Sequence, residues 1–127
     1  MPLVRIDALR ATPERLEALG QAVHEALGEA IGMPPDDRFQ ILTSHDGTTS
    51  QLRYDDYLGI HRDEDIVYIQ ITLRAGRTPE QKMALYRRIA ELAHEYAGIE
   101  PRNVFVVLTE NASIDWSIGN GEAQYAT

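Results

Sequence analysis

The chain has 127 residues, enough for one domain with its own core, and its 43% apolar and 25% charged content is that of an ordinary soluble globular protein. Twenty acidic against 12 basic residues leave a net charge of −8, which disfavours nucleic acid and anionic membrane as partners, and the absence of cysteine excludes disulfides, thiol chemistry and cysteine-held metals. No apolar run approaches the roughly 20 residues that span a bilayer and the amino terminus reads as a strand rather than a leader, so a cytoplasmic location is expected.

Met1-Pro2-Leu3-Val4-Arg5-Ile6 places a proline ahead of an apolar run that predicts a strand over Leu3–Leu9. A small residue after Met1 favours trimming of the methionine. Pro2 would then carry a free secondary amine, with a reference pKa of about 8 that can be tuned for acid, base or nucleophilic work. Thr12-Pro13-Glu14 supplies an N-cap, a proline at the first helical position and an acid at the positive helix end. The helix that follows should bury Leu16, Leu19, Val23, Leu27 and Ile31 and stop at Gly32. Asp36 and Asp37 precede an expected strand over Arg38–Thr43, and residues 44–63 read as a polar excursion, a hairpin or a loop.

The pattern then recurs. A strand over Ile66–Leu73 leads through Arg74-Ala75-Gly76-Arg77 to Thr78-Pro79-Glu80-Gln81, a cap with the glutamine of a capping box. The second helix should bury Met83, Tyr86, Ile89, Ala93 and Tyr96 or Ala97, end at Gly98, and be followed by a strand over Val104–Thr109. Residues 12–43 lie on 78–109 without a gap and with twelve identities, so the chain reads as a single domain with internal repeats over about 2–62 and 63–127. The expected architecture is α/β (α+β): two fused β-α-β units in one four-stranded mixed sheet, with both helices on one face. The bare face calls for self-association.

In a parallel β-α-β unit the two strand starts share one sheet end, so Asp36 or Asp37 can approach the Pro2 amine and hold it charged and oriented. Arg74 and Arg77, flanking Gly76 beside a helix start, suit a carboxylate. They reach Pro2 only if the two units meet antiparallel, and that arrangement is expected here. Trp116, the only tryptophan, would wall a small acid or plug an interface from a tail that starts at Asn111 and ends near a partner subunit. His24, His45, His61 and His94 show no ligand spacing, and there is no metal motif or phosphate loop.

The Met-Pro-Leu start, Asp37-Arg38-Phe39-Gln40, Arg74-Ala75-Gly76-Arg77-Thr78, and Glu110-Asn111 followed by Asp115-Trp116-Ser117-Ile118-Gly119-Asn120-Gly121 resemble the tautomerase superfamily over the whole chain, in its malonate semialdehyde decarboxylase branch. The resemblance implies a homotrimer without cofactor or metal. It makes Pro2 the catalytic amine and Asp37 its partner, with Arg74, Arg77 and Trp116 binding a small oxo acid. In that branch one residue separates the arginines; here two do, Arg77 keeping its place beside the cap. Dehalogenation, which the superfamily also supports, needs a late histidine in the first helix and a tyrosine in the last strand. This chain has Glu29, Ala30 and Phe105-Val106-Val107 there. The expected activity is therefore decarboxylation of a β-oxo acid. The alternatives are keto–enol tautomerisation of a 2-oxo acid such as phenylpyruvate, or a non-catalytic oligomeric binding role.

Overall fold

The computed structural model describes residues 1–126. Its elements run β1 (Pro2–Leu9), α1 (Pro13–Ile31), β2 (Gln40–His45), β3 (Val67–Arg74), α2 (Pro79–Ala97) and β4 (Val104–Asn111), with single 3-10 turns at Pro101–Asn103 and Ser113–Asp115. The sheet order is β2-β1-β3-β4. β1 pairs parallel to β2, and β3 parallel to β4, as each strand–helix–strand crossover dictates. β1 and β3 are antiparallel, with Pro2 opposite Leu73, so the two halves meet head to tail as expected.

The caps follow the sequence. The Arg15 N–H donates to Thr12 Oγ1 (3.1 Å), and the Gln81 N–H to Thr78 Oγ1 (3.1 Å), while the Gln81 side chain accepts from the Thr78 N–H (2.9 Å). Gly32 and Gly98 close the helices in the left-handed region, at φ 72° and 68°.

Alternation divides the strands. Val4, Ile6 and Ala8 of β1 and Val67, Ile69, Ile71 and Leu73 of β3 face the helices and are buried against Leu19, Val23 and Leu27 of α1 and Leu85, Ile89 and Leu92 of α2. Each of these valines, leucines and isoleucines contributes about 1.5–3 kcal/mol relative to exposure. The first helix buries the expected face, with Leu16 partly covered.

The second departs from expectation. Its buried stripe is Leu85, Ile89, Leu92 and Ala93, while Met83, Tyr86 and Tyr96 are exposed. Two apolar stripes overlap on this helix, and the all-aliphatic one packs better. The tyrosines keep a hydroxyl in water or on a partner, as Tyr96 does on Glu25 (2.5 Å).

Strand limits also shift. β2 starts at Gln40 rather than Arg38, because Arg38 turns toward α1 and donates to Gln21 (2.9 Å). β3 and β4 extend to Arg74 and Asn111 through mutual pairing. Residues 46–63 form a loop whose one isolated bridge joins Tyr57 to Ile60. No described helix is long and apolar enough to cross a membrane.

Candidate active site

The amino terminus lies at the sheet end where β1 begins and β3 finishes. β2 runs beside it, the Val4 N–H donating to the Phe39 carbonyl (3.0 Å), so the residues just ahead of β2 pass next to the terminus. Pro34 and Pro35 shape that turn, which the Asp37 N–H closes on the Pro34 carbonyl (3.0 Å). Asp36 points to solvent. Asp37 turns inward, and its Oδ2 lies 3.3 Å from the Met1 ammonium, both side chains being largely buried. The other carboxylate oxygen is buried without a partner. Met33 Sδ, 3.9 Å away, closes another side of the ammonium. A charged pair so shielded from water is coupled more strongly than a surface pair.

A recess of about 260 Å³ opens beside this pair, lined by Met1, Leu3, Phe39, Trp116, Ser117 and Ile118. The Trp116 indole N–H donates to Asn111 Oδ1 (2.6 Å), which holds the ring along the wall.

Arg74 and Arg77 line a neighbouring recess of about 360 Å³ with Ala75, Gly76, Gln81 and Ser113. Gly76 stands at φ 130°, a conformation that any side chain would strain, and this lets the chain turn sharply between the arginines. Arg77 donates to the Arg74 carbonyl (3.2 Å), Arg74 stacks 3.9 Å over the Tyr125 ring, and Arg74 Nε is buried without a partner. The tail thus folds back onto its own chain's arginine.

Among the described residues neither arginine is ion-paired to an acidic side chain. The adjacent acid, Glu110, is taken by Lys82 (2.6 Å). That bond is the main reason its carboxyl sits below the usual glutamate range; the Gly76 N–H and the Arg77 charge act in the same direction. Two guanidinium groups left with free charge are equipped to receive an anion.

The expected residues therefore gather at one end of the sheet, though not in one recess. Met1, whose ammonium Asp37 meets, shares the first with Trp116, while Arg74 and Arg77 share the second. Pro2 stands opposite Leu73 and so one register step from Arg74.

Two features escaped the sequence. Asn111 reads as the start of a polar tail, yet it ends β4 and anchors the tryptophan. His45 bonds Asp7 (2.7 Å) and Ser50 (2.5 Å) on the open sheet face, beside a 410 Å³ recess that includes Arg53, Tyr68 and Gln70. Asp7, on the same face of β1 as Arg5, was the available signal. No cluster of three potential ligands among the described residues is arranged to hold a metal.

Models of the family described as "Tautomerase enzyme" match residues 37–119 and 2–59. Probable tautomerase YusQ of Bacillus subtilis (strain 168) is 40% identical over 126 residues, covering 98% of both chains. A crystal structure of FG41 malonate semialdehyde decarboxylase inhibited by 3-bromopropiolate superposes with a TM-score of 0.87 at 41% identity, covering 97% of this chain and 93% of that one. A wild-type fused 4-OT symmetric trimer superposes at 0.75 with 26% identity, covering 98% of each. Since one family model matches well over half of its length and YusQ matches it end to end, this chain belongs to the tautomerase superfamily.

Proposed function

We propose that this chain is a cofactor-free decarboxylase that works through an amino-terminal proline on a small β-oxo acid such as malonate semialdehyde. The observation that carries the reading is the buried pairing of the terminal amine with Asp37, beside Trp116 and one register step from Arg74. Removal of Met1 passes the amine to Pro2. Asp37 then favours its cationic form. Arg74 and Arg77 hold the substrate carboxylate, and the Pro2 ammonium hydrogen-bonds the aldehyde oxygen. The bond to the carboxylate breaks, its electrons flow toward that oxygen, carbon dioxide departs, and the enol takes a proton at carbon to give acetaldehyde. A Schiff base between Pro2 and the aldehyde would provide a stronger electron sink and return the amine on hydrolysis. The superposition on a malonate semialdehyde decarboxylase supports this substrate class.

A second reading, keto–enol tautomerisation of a 2-oxo acid such as phenylpyruvate, is favoured by the similarity to YusQ. It needs Pro2 neutral, as a base. For either reading we propose a homotrimer, supported by the bare sheet face and the trimeric fused 4-OT.

The test incubates Met1-processed protein and its Pro2→Ala variant with malonate semialdehyde and follows products by proton NMR. Acetaldehyde is expected from the proline enzyme alone, with both proteins equally assembled. No product from either overturns decarboxylation, and ketonisation of phenylenolpyruvate by the same samples would then establish the second reading. Intact mass showing Met1 retained in the native protein would remove the proline amine from both readings and leave a binding protein.

A further inference from the structure

We infer that Asn111 is a positioning residue with two separable tasks: its amide carbonyl fixes Trp116, and its neutrality leaves the charge of Arg74 to the substrate. The inference rests on the reading of this corner as an oxo-acid site. Asn111 is the last residue of β4 and the register partner of Arg74, the last residue of β3. Register partners project from the same sheet face across a strand spacing of about 4.8 Å. The Asn111 carbonyl also accepts the Ala75 N–H (2.8 Å), which ties the arginine turn to the same residue. On its other side Oδ1 is the acceptor for the Trp116 indole (2.6 Å). Between the two residues the chain makes a tight turn, held by the Asp115 N–H on the Ala112 carbonyl (3.0 Å) and the Ala112 N–H on Asp115 Oδ2 (2.9 Å). That turn brings the ring back, and the amide decides where it stops.

An acceptor at position 111 is required by the indole, which can only donate. Aspartate would satisfy it equally well, but would set a carboxylate on the register partner of Arg74, whose guanidinium lacks an acidic partner among the described residues. The one acid that follows next in the chain direction away from the turn, Glu110, is already neutralised by Lys82. Asparagine supplies the acceptor without the charge. Substitution therefore separates the tasks. Asn111→Ala removes the anchor and spares the charge. Asn111→Asp keeps the anchor and places a competing anion next to Arg74.

The experiment measures Trp116 emission, its quenching by acrylamide, and kcat and KM for malonate semialdehyde in the Met1-processed wild type and both variants. Affinity for malonate, followed through Trp116 emission, reads the carboxylate site without turnover. Asn111→Ala is expected to red-shift the emission, raise quenching and lower kcat about tenfold or more, as misplacement of a site wall does. Asn111→Asp is expected to keep the wild-type emission and raise both KM and the malonate Kd about tenfold. In a Trp116→Phe background, Asn111→Ala should cost no further kcat. Unchanged emission in Asn111→Ala, unchanged malonate affinity in Asn111→Asp, or additive losses in the double variant would each overturn the assignment. If Asn111→Ala loses its helical circular dichroism, Asn111→Asp still decides, by weaker malonate binding at constant emission. A wild type that decarboxylates nothing counts against the decarboxylase reading, whereas the emission and malonate measurements judge Asn111 independently.

Discussion

At the scale of single residues, the question is which protonation state of Pro2 does the work. As an acid, the amine must be charged, so activity falls as pH rises through its pKa. Asp37, one oxygen of which lies 3.3 Å from the Met1 ammonium, is placed to favour the charged form of the amine that Pro2 carries once Met1 is removed. Asp37→Asn removes that stabilisation, the pKa drops, and the alkaline limb of kcat/KM should move to lower pH by about one unit or more. The opposite profile distinguishes a base: activity would rise with pH, and Asp37→Asn would extend it toward acid. A pH–rate series on the two proteins checks this, and an unmoved limb would remove Asp37 from the mechanism. Asp37 was open to inference from the sequence because strand starts in a parallel unit share a sheet end. The choice of Asp37 over Asp36 was not, since it depends on how one proline turn rotates its side chains.

At the scale of elements, both helices begin with Thr-Pro-Glu, but their caps differ in strength. Thr78 and Gln81 satisfy each other's backbone donors; at the equivalent place in α1 stands Arg15, which cannot accept a hydrogen bond. Urea unfolding should therefore show Thr78→Ala costing about 1–2 kcal/mol, and Thr12→Ala about 0.5–1 kcal/mol. Equal losses would mean that the reciprocal bond adds nothing. Because Arg77 adjoins the Thr78 cap, the same variant should also weaken malonate binding. Such caps are legible because a few adjacent residues carry the whole signal. The buried face of α2 was not, because Met83 and Tyr86 offer apolar surface at helical spacing just as Leu85 and Leu92 do, and only the shape of the partner chooses. Nor was the Asp7–His45–Ser50 chain, which joins β1, the end of β2 and a loop through bonds that no local pattern records.

At the scale of the whole molecule, the two faces of the sheet are unequal. One is sealed by the helices. The other presents Leu3, Ile41, Phe105 and Val107, each between 42% and 44% exposed, on all but one of its four strands. Apolar surface spread across a sheet in this way is worth about 25 cal/mol for each Å² covered, and a threefold association would cover it on every copy with closed symmetry. Val107 tests this cleanly. Phe105 meets the Tyr68 ring edge-on at 5.1 Å and so serves its own chain, whereas Val107 lies on the open face of an edge strand, where glutamate can reach water in a lone protomer. Val107→Glu should leave circular dichroism intact yet shift the sedimenting species from three chains to one, because three copies would each bury a carboxylate against apolar neighbours. A wild type that sediments as a single chain would remove the trimer, and a variant that stays trimeric would move the interface off this face. The proposed site draws Pro2, Asp37, Arg74, Arg77 and Trp116 from one chain. A dispersed Val107→Glu protein that still decarboxylates would therefore show that assembly does not complete the chemistry.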